Sequence, residues 1–208
     1  MAKDPDLNAA YGLDGTDSVK QLYANWAETY DAAFAKTQGY DLHRQVAAHF
    51  AAAGGQGPVL DVGAGTGLVG EALAALGISD VDGTDLSPEM LGVARAKGCY
   101  GLCFTADITQ PLDVPDDTYG GIISAGTFTL GHLGPEPLAE LIRITRPGGL
   151  FAITVNAAHW QAAGFGPAFE ALGDLIEDLK KADVAIYTSG ADHDHADDRG
   201  FVVTFRVT

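Results

Sequence analysis

Three carboxylates stand where they could converge on one ligand. Asp61 lies inside the apolar run Val59-Leu60-Asp61-Val62, and Gly63-Ala64-Gly65-Thr66-Gly67 follows at once. Asp85 closes Asp80-Val81-Asp82-Gly83-Thr84-Asp85, and Asp107 closes Cys103-Phe104-Thr105-Ala106-Asp107. Alternating glycines let backbone approach a ligand closely, and a helix start offers free N–H groups. Such a turn cradles something polar at the carboxyl end of a parallel strand. Acids after the next two strands would face the same crevice and accept from its hydroxyl or amino groups.

A proton acceptor is sought among the histidines. His132 is the best-placed, because it follows the fourth apolar run in Gly126-Thr127-Phe128-Thr129-Leu130-Gly131-His132; His159 has less claim. The run Asp192-His193-Asp194-His195 reads as a solvated charge run, so no metal site is expected. Cys99 and Cys103 lack nearby histidines and read as reduced, partly buried thiols.

The elements that must position these residues alternate. Strands are expected at 59–62, 80–84, 102–106, 119–124, 150–155, 184–188 and 201–207. Helices are expected from Leu68 to near Gly77, from Ser87 to Gly98, from Pro137 to Thr145 and from Phe169 to Leu179. Ser87-Pro88-Glu89 is a strong helix start, with a cap, a proline at the first helical position and an acid in the first turn. Ahead of them, a helix from Asp41 carries Leu42, Val46, Ala47 and Phe50 and stops at Gly54-Gly55. Another from Asp17 carries Val19, Leu22, Tyr23, Trp26 and Tyr30, while residues 1–16 show no periodicity. The pattern predicts a doubly wound α/β domain over 1–208, with 1–56 as a helical cap and 57–208 as the core. The last two strands, joined by a hydrophilic loop, should form an antiparallel hairpin.

Composition bounds the partners. The chain has 208 residues, 12 Lys and Arg against 28 Asp and Glu, and a formal charge of −16. Nucleic-acid affinity rests on basic residues that neutralise phosphates, so no nucleic-acid partner is expected. No apolar run would span a bilayer, and the polar start Met1-Ala2-Lys3-Asp4-Pro5-Asp6 is not a signal peptide, so a cytoplasmic protein with no membrane partner is expected. Oligomeric state is unreadable.

With the glycine turn and the three acids together, the chain resembles the class I S-adenosylmethionine-dependent methyltransferases. The resemblance is strongest over residues 56–156. Ile123-Ser124-Ala125-Gly126-Thr127-Phe128-Thr129-Leu130-Gly131-His132 resembles the Williams–Beuren-region methyltransferase-like type. The resemblance implies a Rossmann-like, mostly parallel seven-stranded sheet with a terminal antiparallel hairpin, and S-adenosylmethionine as cofactor. Gly63, Ala64, Gly65 and Gly67 would cradle it. Asp85 would accept from the ribose hydroxyls. Ala106, Asp107 and Ile108 would meet the adenine, with Leu86 and Met90 sandwiching the ring. Asp61 would lie near the methionyl ammonium or, equally, bond the backbone N–H groups of the glycine loop. Ser124 and Ala125 would line the sulfonium region. Tyr119-Gly120-Gly121 stands where the family commonly opens the fourth strand with an acid.

Trp26-Ala27-Glu28-Thr29-Tyr30-Asp31 also resembles the family's N-terminal cofactor-contacting segment. Trp26 and Tyr30 are expected either to close over the cofactor or merely to bury their helix. His132 would act as base where the acceptor arrives protonated. The acceptor is expected to be a small molecule, since Ser124-Ala125-Gly126-Thr127 lacks the Asn/Asp-Pro-Pro-aromatic motif of many nucleic-acid methyltransferases. Two alternatives stand beside this reading. One is an NAD(P)-dependent oxidoreductase, because Gly65-Thr66-Gly67-Leu68-Val69-Gly70 fits G-x-G-x-x-G with Asp85 downstream. Its register is wrong, since Gly63 closes the strand. The other is a non-catalytic S-adenosylmethionine-binding protein.

Overall fold

Val59-Leu60-Asp61-Val62 shows no polar alternation because both of its faces are covered; all four residues are buried. The computed structural model describes residues 21, 22, 24, 26, 27, 29–31 and 37–208. Within them the chain runs α1 (Leu42–Ala52), β1 (Val59–Val62), α2 (Leu68–Ala75), β2 (Val81–Asp85), α3 (Pro88–Lys97), β3 (Cys103–Thr105) and β4 (Tyr119–Phe128). It continues as α4 (Leu138–Arg143), β5 (Thr145–Asn156), α5 (Ala157–Ala162), α6 (Phe165–Leu172), β6 (Ile176–Ala185) and β7 (Arg199–Val207). The expected irregular stretch 1–16 and Val19 and Tyr23 of the first helix lie outside the described residues.

The strands form one seven-stranded sheet in the order β3-β2-β1-β4-β5-β7-β6. The first five are parallel, and β7 is antiparallel to both β5 and β6. The chain winds outward from β1 to β3, then returns to place β4 on the other side of β1. That reversal opens a crevice at the carboxyl ends of β1 and β4, where ligands bind in open α/β sheets.

Adjacent residues of each central strand feed opposite faces. Leu60, Ile122, Phe151 and Val203 join one apolar cluster with Leu141 of α4 and Phe165 and Phe169 of α6. Val59, Ile123, Ala152 and Val202 join the other with Val46 and Phe50 of α1 and Leu73 of α2. Each fully buried valine, leucine, isoleucine or phenylalanine among them stabilises the fold by about 1.5–3 kcal/mol. Helix starts follow the expected chemistry at α3. The Ser87 hydroxyl accepts from Met90 N at 3.2 Å, Pro88 opens the helix, and Gly98 closes it in the left-handed conformation.

The sequence reading is corrected between Phe169 and Thr188. A helix was expected over Phe169–Leu179, but α6 ends at Leu172 and β6 begins at Ile176. Leu172, Leu175, Ile176 and Leu179 imitate a helical stripe. Gly173, at φ 52° and ψ −124°, breaks the helix, and an edge strand pairs on one side only. Its side chains are therefore mostly exposed and carry no strand alternation. A bulge between Glu177 and Lys180 sets Asp178 at positive φ. Strand β6 ends at Ala185, near where the expected strand began, and still pairs with β7 as an antiparallel hairpin. Helix α5 carries no apolar periodicity; the Asn156 side chain starts it by accepting from Ala158 N and His159 N.

Candidate functional site

A cavity of about 250 Å³ opens at the carboxyl edge of β1 to β4. The glycine turn after β1 forms its floor, with Gly63, Ala64, Gly65 and Thr66 all lining it. Gly63 has φ +70°, and a Cβ there would collide with Thr127 Oγ1 of β4. Only glycine lets the β1 turn pass that close to the end of β4. The Gly63 and Ala64 N–H groups both donate to Thr84 O at 2.9 Å, which ties the turn to β2.

Asp85 locks this turn. Its Oδ2 accepts from Gly65 N and its Oδ1 from Ser87 N, each at 2.8 Å. Burial raises its pKa, against the opposing pull of the Ser87 and Gly65 N–H groups. A carboxylate offers about four acceptor sites, so two N–H bonds leave capacity for ligand hydroxyls. Leu86 and Met90 line the same wall. Ala106, Asp107 and Ile108 line the end over β3, where Asp107 Oδ1 accepts from the Thr109 N–H at 3.0 Å and the Thr109 hydroxyl at 2.7 Å.

Asp61 sits elsewhere. It is fully buried and absent from the cavity wall. Its Oδ2 accepts from the Tyr100 hydroxyl at 2.6 Å, and its Oδ1 is buried without a partner. Desolvation, opposed by the Tyr100 bond, raises its pKa to about 7. The expected bonding of Asp61 to the glycine-loop N–H groups is therefore corrected: the carboxylate that performs it is Asp85, from the neighbouring strand.

Past the expected end of β4, the strand continues to Phe128 through an irregular register against β5. Ser124 is consequently internal, donating to Val62 O at 2.7 Å, and does not line the cavity; Ala125, Gly126 and Thr127 do. Gly67 is likewise outside the wall and caps α2 in the left-handed conformation. His132 lines the cavity, with Nδ1 3.0 Å from Leu130 O. Donation to that carbonyl places the proton on Nδ1 and the lone pair on Nε2. Burial lowers its pKa, so the ring is held neutral. His159 instead bonds Leu133 O at 2.8 Å and packs on Phe165.

Tyr30 lines the cavity, whereas Trp26 is 2% exposed and packs with Ala27 against Met90, behind the wall. Asp31 fastens this segment to the glycine turn: it accepts from the Thr66 hydroxyl and pairs with Lys97 Nζ at 2.6 Å, which also pairs with Glu71. Tyr40, His43, Thr127 and Leu133 are among the wall residues that escaped the sequence reading. A signal existed for His43. It falls on the apolar face of α1 with Val46, Ala47 and Phe50, where a charged histidine has no place. In the acidic loop, His193 bonds Gln38 O and His195 bonds Asp198. Among the described residues no three His, Cys, Asp or Glu side chains group to hold a metal ion, and no helix is long and apolar enough to cross a membrane.

Comparison with known proteins agrees with this geometry. Residues 59–149 match the model of a methyltransferase domain. Human methyltransferase-like protein 27 is 33% identical over 181 residues, covering 82% of this chain and 71% of the human protein. The malonyl-[acyl-carrier protein] O-methyltransferase of Serratia marcescens is 33% identical over 155 residues, covering 73% of this chain and 58% of that one. A solved S-adenosylmethionine-dependent methyltransferase from Thermotoga maritima superposes with a TM-score of 0.63 at 14% identity, covering 90% of this chain and 98% of its own. That likeness concerns the fold. The nicotinamide alternative is set aside by these matches. The chain belongs to the class I S-adenosylmethionine-dependent methyltransferases, of the Williams–Beuren-region methyltransferase-like type, and S-adenosylmethionine is its cofactor.

Proposed function

We propose that the protein methylates a small-molecule acceptor. The observation that carries this reading is a cavity of about 250 Å³ whose floor is a glycine turn and whose wall includes both Asp85 and Asp107. Its lining of apolar side chains with a few convergent polar groups is that of a small-ligand site. The chain's donor set fits S-adenosylmethionine: carboxylates for hydroxyl and amino groups, a close-approach glycine, and the apolar side chains of Leu86 and Met90 for a ring. We assign the ribose to Asp85 and the adenine to Ala106, Asp107 and Ile108. Residues 57–208 are the core in this reading, and 1–56 its cap.

When bound, S-adenosylmethionine supplies a methyl group on a cationic sulfonium. The protein's remaining work is to position the acceptor, exclude water and take the proton a protic acceptor releases. We assign that proton to Nε2 of His132, because the Leu130 carbonyl fixes the tautomer that leaves this nitrogen basic. The formal charge of −16 supports a small-molecule acceptor over a nucleic acid.

Calorimetry with S-adenosylhomocysteine tests the site. Asp85→Ala removes an acceptor from buried hydroxyls and should weaken binding by about 1–3 kcal/mol. Unchanged affinity would remove Asp85 from the site. Retained binding with no turnover on any acceptor would favour a non-catalytic binding protein.

A further inference from the structure

His43 is the second residue of α1 and is 7% exposed. It lines the cavity, yet its Nδ1 is buried without a hydrogen-bond partner. A buried polar group left unpaired is destabilising, so His43 calls for a partner. The placement of the ring points to what that partner is. Its neighbour Tyr40 stacks on it with ring centroids 5.8 Å apart. Tyr40 reaches the end of β4, where a Cβ on Gly126 would meet the tyrosine hydroxyl at 2.7 Å. The ribose and adenine assignments run from Asp85 of β2 toward β3. The sheet order β3-β2-β1-β4 therefore leaves the β4 side for the acceptor. His43 and Tyr40 stand on that side.

The second observation is electrostatic. Among the described residues lining the cavity there is no lysine or arginine, while Asp85 and Asp107 are both present. An anionic acceptor would find no lysine or arginine in that wall to pair with. Burial, reinforced by Arg44 and Lys97 against Asp41 and Asp31, holds His43 below its ordinary pKa, so its ring is neutral at pH 7. The amino end of α1 adds to the same effect, since helix N-termini disfavour a cation.

We propose that His43 hydrogen-bonds the methyl acceptor and that this acceptor is an uncharged hydroxyl compound. The proposal rests on the methyltransferase site described above and gives His43 a role separate from His132. His43 holds the acceptor, and His132 receives its proton.

The test uses the full chain saturated with S-adenosylhomocysteine, with catechol and 3,4-dihydroxybenzoate as probes in calorimetry. The two probes differ by one carboxylate. The wild-type protein should bind catechol at least about tenfold tighter than the benzoate. His43→Phe should weaken catechol binding about tenfold, the scale of one lost hydrogen bond to a buried group. His43→Gln, which keeps a hydrogen-bonding group, should recover part of that loss. Affinity for S-adenosylhomocysteine should stay within about twofold in both variants, which also reports that they fold. With catechol and S-adenosylmethionine, both variants should raise KM more than they lower kcat. Catechol binding that is absent from the wild type, unchanged in both variants, or matched by the benzoate would overturn the proposal. Failure to bind S-adenosylhomocysteine would instead overturn the cofactor assignments beneath it.

Discussion

At the scale of single residues, the two acids of the glycine region divide their work by burial. Asp85 accepts two N–H bonds and still reaches the cavity, whereas Asp61 accepts one hydroxyl and is sealed away. Asp61 has an unfolded pKa of 3.8, and the fold raises it to about 7. The folded state therefore keeps the proton over a window where the unfolded chain has lost it. The stability from this group is fully present below pH 3.8 and is lost as pH rises to about 7. Asp61→Asn removes the titration and keeps an acceptor for Tyr100. Urea midpoints measured from about pH 4 to about pH 8 should show the wild type losing stability relative to Asp61→Asn up to about pH 7, then running parallel to it. Parallel curves throughout would mean that Asp61 is not protonated in the fold. Tyr100 itself carried no sequence signal. It lies just after a helix-ending glycine, and only the approach of β2 and α2 aims its hydroxyl at Asp61.

At the scale of elements, the described residues ahead of α1 meet the site directly. Trp26 is packed on Met90, Tyr30 lines the cavity, and Asp31 joins Thr66 of the glycine turn to Lys97 of α3. Exposed ion pairs contribute little, but Lys97 is only 15% exposed and holds two carboxylates at once. A closing element that excludes water suits methyl transfer. Removing residues 1–38 should leave the sheet folded, because β1 to β7 and α1 lie downstream. Cofactor affinity should fall about tenfold, the effect of losing a wall and one or two hydrogen bonds. Circular dichroism and calorimetry on the truncated chain check both halves. Should the truncation unfold, Tyr30→Phe and Trp26→Ala in the full chain ask the same question. A truncated protein with full affinity would mean that this segment only buries its own aromatics.

At the scale of the whole molecule, the charge balance makes a prediction about partners. With 12 basic against 28 acidic residues, the net charge opposes association with a phosphate backbone. Filter binding to single- and double-stranded RNA and DNA should detect only weak association, without a steep salt dependence. Tight binding that falls sharply with salt would overturn the small-molecule reading.

Much of the central architecture was legible in the sequence because its signals are local. Val59 to Val62 must be a strand covered on both faces, Ser87-Pro88 must open a helix, and glycines at 63, 65 and 67 must turn tightly. The acids at 85 and 107 follow directly from their strands, so their convergence needs only a parallel sheet. Tertiary structure decided the rest, wherever a residue's role depends on a partner distant in sequence. The edge strand β6 looks helical because an exposed strand has no second face to impose alternation. Ser124 became internal because β4 runs on to Phe128 against β5. Asp85, not Asp61, bonds the glycine turn because the Gly65 N–H points to β2 rather than back along β1. His43 entered the cavity wall because α1 packs across β4 and β5 and delivers its first turn to the crevice, a placement that only the assembled sheet can set.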